Sequence, residues 1–159
     1  MNIRDSIWIS VFGGRTARKE IIIEARRVGE LIADAGAVVV CGGLGGVMEA
    51  IASGAKEGGG IVVGIIPSAN RNDANSYIDI AIPTGLGIAR NLLIARAGDA
   101  AIAIDGKWGT LSEIALTMNL GKEVIGLHTF ELDGIIGVDT PEDAVKKALK
   151  AAKRLREKK

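Results

Sequence analysis

The sequence of 159 residues contains little cysteine, proline or aromatic side chain. A single cysteine, Cys41, excludes an internal disulfide and a zinc site built from several cysteines, so we expect no metal site. Aromatic residues make up 3% of the chain, which requires a core of aliphatic side chains. No apolar run approaches the length of a membrane span. With no signal-like segment at the start, the lone cysteine leads us to expect a cytoplasmic protein without membrane contact.

Short β-branched runs alternate with helical patterns, which is typical of βαβ units and a parallel sheet. The pattern predicts a single α/β domain over residues 1–159, Rossmann-like and doubly wound, with a mostly parallel sheet of about six or seven strands. The predicted strands are 7–12, 37–41, 61–66, 78–82, 99–104, 124–128 and 134–138. The predicted helices are 16–35, 47–56, 87–97, 110–120 and a last one that begins at Pro141.

Eight of the 22 glycines of the chain lie in three turns, at 13–14, 42–46 and 106–109, each after a predicted strand and before a predicted helix. Such turns meet at the carboxyl edge of a parallel sheet, where glycine and free helix amides let the backbone approach an anion. One turn alone needs glycine for geometry as readily as for a ligand, but three at one edge favour a phosphorylated ligand. The residues predicted to bind it are Gly13, Gly14, Arg15, Gly42, Gly43, Gly45, Gly46, Gly106, Lys107, Gly109 and Thr110.

Two common nucleotide motifs do not fit these turns. A dinucleotide fingerprint needs a third glycine after Gly43 and Gly45, but Met48 stands there. A P-loop needs Ser or Thr after its lysine, but Trp108 follows Lys107. NAD binding and ATP hydrolysis are therefore not expected.

Arg90 and Glu113 are charged residues at positions where chemistry is possible, near the starts of two predicted helices. Each also has a structural explanation. Arg90 can form a surface ion pair, and Thr110 with Glu113 fits a capping box that satisfies backbone amides at a helix start. His128 ends a strand without an evident nucleophile nearby, and Cys41 is expected to be a small core residue.

Four segments together resemble one known family: CGGLGGVMEA at 41–50, GIIP at 64–67, Arg90-Asn91, and GKWGTLSE at 106–113. The chain resembles the LOG (Lonely Guy) superfamily, long labelled lysine decarboxylase-like, and more closely its compact branch with the molybdenum-cofactor carrier proteins. The likeness covers about 7–128. No lysine site for pyridoxal phosphate is recognisable, so lysine decarboxylation is not expected.

LOG enzymes release the base from a nucleoside 5′-monophosphate, and their second signature reads P-G-G-x-G-T-x-x-E. The resemblance implies that Gly106, Gly109 and Thr110 hold the phosphate. It also implies that Glu113 is the catalytic carboxylate and Arg90 its cationic partner at the substrate.

Three positions depart from the LOG pattern. Asp105 stands in place of the proline, Lys107 in place of the second glycine, and Asn91 in place of the lysine after the arginine. Lys107 adds a cation and Asp105 an anion beside the phosphate turn. These changes favour a larger or more highly charged ligand, and Asn91 is included among the predicted ligand-binding residues.

Two functions remain open at this point. The leading hypothesis is a nucleoside 5′-monophosphate-binding protein with LOG-like phosphoribohydrolase activity, for which no cofactor is required. The alternative is a non-catalytic carrier of molybdenum cofactor or another pterin phosphate, or a nucleotide sensor. In the carrier reading, molybdenum cofactor is the bound ligand.

A homo-oligomer, dimer or tetramer, is expected from the resemblance and from two helices with apolar residues on more than one side. Those residues are Val47, Ala50, Ile51, Leu116, Met118 and Leu120. Residues 146–159 carry eight Lys or Arg and one Glu but no aromatic side chain, which indicates a solvated helix end. A DNA-processing role like that of DprA needs a basic face joined to this end, so nucleic acid is not an expected partner.

Overall fold

The structure, a computed structural model, describes residues Asn2–Lys158. In these residues strands and helices alternate as the sequence pattern predicts. The strands are β1 (Trp8–Gly13), β2 (Val38–Cys41), β3 (Val62–Ile66), β4 (Ile80–Pro83), β5 (Ala100–Ile104), β6 (Val124–Leu127) and β7 (Ile135–Val138). The helices are α1 (Lys19–Asp34), α2 (Val47–Glu57), α3 (Asn91–Ala97), α4 (Trp108–Asn119) and α5 (Pro141–Glu157), and two 3-10 turns cover Arg71–Asp73 and Gly87–Arg90.

The seven strands form one parallel sheet in the order β4-β3-β2-β1-β5-β6-β7. From β1 the chain winds outward to β4, and then crosses back to place β5 on the other side of β1. The two sides of the sheet therefore separate between β1 and β5, which is the switch point where ligands bind in such folds. This architecture confirms the predicted doubly wound α/β fold.

Two aliphatic clusters cover the two faces of the sheet. Helices α1, α2 and α5 pack on one face, and α3 and α4 on the other. The central strands β2, β3 and β5 are buried along their whole length, which explains their unbroken Val, Ile and Ala runs. Within Asn2–Lys158 no helix is long and apolar enough to cross a membrane.

Helix α4 begins earlier than the sequence pattern predicts. Its first residue is Trp108 and its N-cap is Lys107, and no side chain caps it. Thr110 therefore lies inside the first turn, where it is buried, and Glu113 lies too far along the helix to reach the free amides at its start. The predicted capping box of Thr110 and Glu113 is wrong, which leaves the Glu113 carboxyl for another role.

The apolar residues that favoured an oligomer lie in the core or against it. Val47, Ala50 and Ile51 are buried, and Leu116, Met118 and Leu120 pack against the aliphatic cluster on the other face. They give no support to an interface between copies of the chain. The oligomeric state stays a prediction that rests on the family resemblance.

Candidate functional site

A cavity of about 460 Å³ lies at the carboxyl edge of the sheet, over the switch point between β1 and β5. This volume is in the range of about 300–1,000 Å³ that small-molecule sites occupy. We call it the turn cavity. It is lined by Gly13, Gly14, Arg15, Thr16, Met48, Pro67, Gly87, Ile88, Arg90, Asn91, Asp105, Gly106, Lys107, Gly109, Thr110 and Glu113.

The pairing of β1 with β5 brings two of the predicted glycine turns together. Gly13 is level with Ile104 in the parallel ladder, so the turns that follow the two strands start side by side. A Cβ added to Gly14 would lie 4.0 Å from Gly106 Cα. Backbone at this spacing, without intervening side chains, forms a floor on which an anion can rest close to amide groups.

The start of α4 supplies hydrogen-bond donors to this floor. The first hydrogen bond into the helix runs from Leu111 N to Lys107 O at 2.9 Å. The amides of Trp108, Gly109 and Thr110 therefore have no acceptor within the helix. Together with the positive end of the helix dipole, they form an anion-binding position.

Glycine has a different role at each of two positions in this turn. Gly106 has a φ of 99°, and a Cβ there would collide with the Thr110 side chain. At Gly109 φ is not positive, and a Cβ would meet nothing within 4 Å. Gly106 is thus required by the backbone, whereas Gly109 leaves open space in the cavity wall.

Asp105 also has a left-handed backbone, with a φ of 49°. Its N–H donates to Leu127 O at 3.2 Å, and its carbonyl accepts from Thr129 Oγ1 at 2.7 Å. Proline cannot adopt a positive φ and has no N–H to donate. The backbone of this turn is therefore incompatible with the proline of the LOG signature, which explains the departure seen in the sequence.

The remaining predicted turn, which follows β2, lies outside the turn cavity. Asn75 is hydrogen-bonded to this turn: Asn75 N donates to Gly43 O at 2.9 Å, and Asn75 Nδ2 donates to Leu44 O at 2.8 Å. The lack of a side chain at Gly42 leaves space for the Arg90 guanidinium, since a Cβ there would lie 2.9 Å from Arg90 Nη2. None of the four glycines predicted here to touch the ligand lines the cavity: Gly42, Gly43, Gly45 and Gly46.

Arg90 lies in the wall of the turn cavity and is only 8% exposed. Its Nη1 donates a hydrogen bond to Asn91 Oδ1, and its buried Nε has no hydrogen-bond partner in the described residues. Burial lowers the pKa of the guanidinium from its ordinary value, Glu113 raises it and Arg15 lowers it further. The predicted surface ion pair is absent from the described residues, and a buried cation with an unused donor remains.

Glu113 is 7% exposed and shares the cavity wall with Arg90. Burial raises the pKa of its carboxyl to about 8, and the charge of Arg90 opposes that rise only in part. The carboxyl is therefore mostly protonated at neutral pH. With Glu113 neutral, three cations of the cavity wall, Arg15, Arg90 and Lys107, face one carboxylate, Asp105.

Cys41 and His128 do not line the turn cavity. Cys41 is fully buried at the end of β2, and burial raises the pKa of its thiol to about 11, in keeping with the predicted core role. His128 Nε2 lies 2.8 Å from Glu24 Oε2 on α1. Within Asn2–Lys158, no three His, Cys, Asp or Glu side chains are grouped to hold a metal ion.

The sequence prediction missed part of the cavity wall. The wall residues that were not predicted to bind the ligand are Thr16, Met48, Pro67, Gly87, Ile88 and Asp105. The positive φ of Gly87, 55°, marks a special turn, and a glycine after the fourth strand was an available signal. Met48 and Ile88 carry no such signal, because apolar residues of a cavity wall look like core residues in a sequence.

Residues 6–156 match the model of the SLOG cluster4 family. The chain belongs to this family. The match covers nearly the whole chain and confirms the resemblance to the LOG superfamily that the four sequence segments predicted.

Two solved structures and one sequence relative are informative about the branch. The molybdenum cofactor binding protein of Rippkaea orientalis is 34% identical with a TM-score of 0.86, over 91% of this chain and 96% of that one. The molybdenum cofactor carrier protein of Chlamydomonas reinhardtii is 26% identical with a TM-score of 0.79, over the same two shares. A probable cytokinin riboside 5′-monophosphate phosphoribohydrolase of Oryza sativa is 28% identical, over 80% of this chain and 55% of the rice protein.

Proposed function

We propose that this SLOG cluster4 protein binds a phosphorylated small molecule in the turn cavity. We further propose that the molecule is molybdenum cofactor or a related pterin phosphate, held as cargo and released unchanged. The proposal rests mainly on the close approach of the Gly14 and Gly106 turns, where a Cβ added to Gly14 would lie 4.0 Å from Gly106 Cα, beside the free amides at the start of α4. A phosphate bound there receives backbone hydrogen bonds and the positive end of a helix dipole.

The charge of the cavity supports an anionic ligand. Arg15 and Lys107 line the cavity beside the floor, and Arg90 presents a buried cation with an unused Nε donor. A buried guanidinium donor without an acceptor costs free energy unless a ligand or water supplies the acceptor. A phosphorylated ligand fits these groups better than a neutral one.

The protonation of Glu113 is compatible with a carrier. With a pKa of about 8, the carboxyl holds its proton at neutral pH. A neutral carboxyl does not act as a base toward water, but it can exchange hydrogen bonds with a ring carbonyl or amine of a bound pterin. The backbone at Asp105, which excludes the LOG proline, also means that the phosphate turn differs from that of the LOG signature.

The comparisons support the same choice. The chain matches the two molybdenum-cofactor proteins over 96% of their length, whereas it spans 55% of the rice phosphoribohydrolase. Nearly the whole length of this chain therefore has a counterpart in proteins named for binding or carrying molybdenum cofactor.

The test is to identify what the protein carries. Wild-type protein and a Gly109→Val variant are purified in parallel, and the small molecules released by denaturation are analysed by mass spectrometry and by fluorescence of oxidised pterins. We expect a phosphorylated pterin with the wild type and none with the variant. Wild-type protein that binds no pterin, either as purified or when pterin phosphate is added, contradicts the proposal.

We call the backbone of Gly14, Gly106 and the start of α4 the phosphate floor. A second candidate, phosphoribohydrolase activity, is favoured by one observation: Glu113 and Arg90 line the same cavity as the phosphate floor. In this reaction water forms a bond to C1′ of the ribose, the C1′–N bond breaks, and the base takes up a proton. If ionised Glu113 activates the water, the rate must rise with pH toward about 8, because the carboxyl ionises in that range. Release of ribose 5-phosphate from a panel of nucleoside monophosphates, with Glu113→Gln as the control, measures it.

A further inference from the structure

Trp108 is the most exposed large apolar side chain in Asn2–Lys158, at 82% exposure. It is the first residue of α4, directly after the phosphate floor. A large aromatic side chain contributes most binding free energy when it packs against another surface. Its position beside the proposed phosphate site suggests that a ligand supplies this surface.

A second cavity, of about 290 Å³, lies at Trp108 and is lined by Gly106, Lys107, Trp108 and Phe130. We call it the tryptophan cavity. Gly106 and Lys107 line the turn cavity as well. The two cavities therefore meet at the Gly106–Lys107 backbone, and a phosphate bound there would have a cavity on each side.

The far wall of the tryptophan cavity is held in place. Phe130 lies in the connection between β6 and β7, and it packs against the core cluster on that face of the sheet. The neighbouring Thr129 Oγ1 donates to Asp105 O at 2.7 Å. This hydrogen bond links the β6–β7 connection to the Asp105–Gly106 turn.

Lys107 supplies a cation at the junction of the two cavities. None of the ion pairs within Asn2–Lys158 involves Lys107. In the turn cavity, Arg15 and the free amides of α4 supply the donors that the single phosphate of the proposed function needs. A further cation at the junction fits a second phosphate group or a phosphodiester that leads from one cavity into the other.

We propose that Trp108 and Phe130 form a stacking subsite for a second aromatic ring, so that the ligand is dinucleotide-like, with two ring systems joined through phosphates on the Gly106–Lys107 backbone. This inference rests on the phosphate floor of the proposed function and adds the ligand class. One ring lies in the turn cavity near Glu113, and the other lies against Trp108. Aromatic side chains bind a base through its π-face, with little preference for the type of base.

The test uses three guanine compounds, because guanine has the same 2-amino-4-oxopyrimidine ring as a pterin. GMP has one ring and one phosphate, GDP adds a phosphate, and P1,P2-di(guanosine-5′) diphosphate adds a second ring to the diphosphate. Affinities are measured by calorimetry for wild type and Trp108→Ala. Tyr77→Ala is the control, because Tyr77 is an exposed aromatic residue that lines neither cavity.

We expect the diguanosine compound to bind wild type about tenfold more tightly than GDP, as stacking of one base on an aromatic side chain provides. Trp108→Ala should remove this gain and leave the affinities for GMP and GDP unchanged, and Tyr77→Ala should change none of the three. Equal affinity of wild type for GDP and the diguanosine compound overturns the subsite. An equal loss for all three ligands in Trp108→Ala also overturns it.

Fluorescence separates a ligand from a second copy of the chain as the group that covers Trp108. The chain has two tryptophans, so a Trp8→Phe background reports Trp108 alone. In the ligand-free protein we expect the emission of Trp108 to be red-shifted and readily quenched by acrylamide. Binding of the diguanosine compound should lower the emission intensity and reduce the access of acrylamide to the indole. Blue-shifted, shielded emission in the ligand-free protein overturns the subsite in favour of an interface. Binding of GMP without any second-ring gain overturns the subsite alone, whereas failure of all three compounds to bind overturns the phosphate floor with it.

Discussion

Asn91 Nδ2 donates a hydrogen bond to Ser112 Oγ at 3.0 Å, and this contact connects the buried cation of the site to its phosphate floor. On one side, Asn91 Oδ1 accepts from Arg90 Nη1. On the other, Ser112 Oγ donates to Gly109 O at 2.7 Å. The residue that departs from the LOG lysine is therefore a neutral link between α3 and α4, and it orients Arg90 within the cavity wall.

The first prediction follows from this link. Asn91→Ala removes the acceptor of a buried guanidinium and the donor to Ser112, so we expect a loss of about 1–3 kcal/mol in the free energy of unfolding. Affinity for a phosphorylated ligand should also fall, because Arg90 is no longer held in place. Urea unfolding and calorimetry measure the two effects. The exposed Asn119 is the control, and equal stability of Asn91→Ala and Asn119→Ala would show that the link is not stabilising.

Much of the fold was predictable because the signals are local and repeated. The strand predicted at 99–104 is observed at Ala100–Ile104, and the helix predicted at 47–56 is observed at Val47–Glu57. The helix predicted at 87–97 divides into a 3-10 turn, Gly87–Arg90, followed by α3. Such boundaries depend on hydrogen bonds with residues distant in sequence, so local propensity predicts them less well.

The site was predictable only in part, for a physical reason. Gly14 and Gly106 are recognisable as turn glycines, but their contact depends on the pairing of β1 with β5, which the sequence pattern does not specify. The sequence predicts that α4 starts at Thr110, because threonine is a good N-cap, yet the left-handed turn at Asp105 and Gly106 brings the chain into the helix two residues earlier. Ser112 gave no signal at all.

The second prediction concerns the pH dependence of stability. The folded protein holds the Glu113 proton up to a pKa of about 8, whereas the ordinary value is 4.5. The stabilising contribution of this group is therefore complete below about pH 4.5, decreases as the pH rises toward about 8, and is constant above that. The decrease is at most about 1.4 kcal/mol per pH unit.

Glu113→Gln removes this titration while keeping the shape of the side chain. The difference in unfolding free energy between wild type and Glu113→Gln should therefore move in favour of the variant between pH 5 and pH 8. Urea unfolding at a series of pH values measures it, with the exposed Glu131→Gln as the control for net charge. Profiles of wild type and Glu113→Gln that run parallel over this range would contradict the buried, protonated carboxyl.

The third prediction separates ligand binding from folding at Gly109. A Cβ at this position meets nothing within 4 Å and φ is not positive, so Gly109→Val should fold with a free energy of unfolding within about 1 kcal/mol of wild type. The valine methyl groups project into space that the ligand needs. GMP should raise the melting temperature of wild type more than guanosine does, and neither should affect the variant.

Gly137→Val is the matched control for Gly109→Val. Gly137 also has open space at its Cβ position and lies in β7, outside the turn cavity. It should keep the response to GMP. A Gly109→Val protein that responds to GMP as wild type does would place the phosphate elsewhere, and an equal response of wild type to guanosine and GMP would remove the reason to expect a phosphate floor.

The last prediction tests whether the Asp105 backbone distinguishes this protein from the LOG pattern. Asp105→Pro restores the LOG residue, but proline requires a φ near −65° and cannot donate to Leu127 O, whereas this position has a φ of 49°. We expect a loss of about 3 kcal/mol or more in the free energy of unfolding. Asp105→Asn keeps the N–H, and asparagine tolerates the left-handed region, so its stability should equal that of wild type within about 0.5 kcal/mol.

Removal of the carboxylate in Asp105→Asn should also strengthen binding of GMP at low salt, because a negative charge beside the phosphate is lost, and this gain in affinity should shrink as salt screens the charge. A stable Asp105→Pro protein with LOG-like hydrolysis would instead mean that the turn adopts the LOG backbone, and the case for a carrier would lose its structural basis.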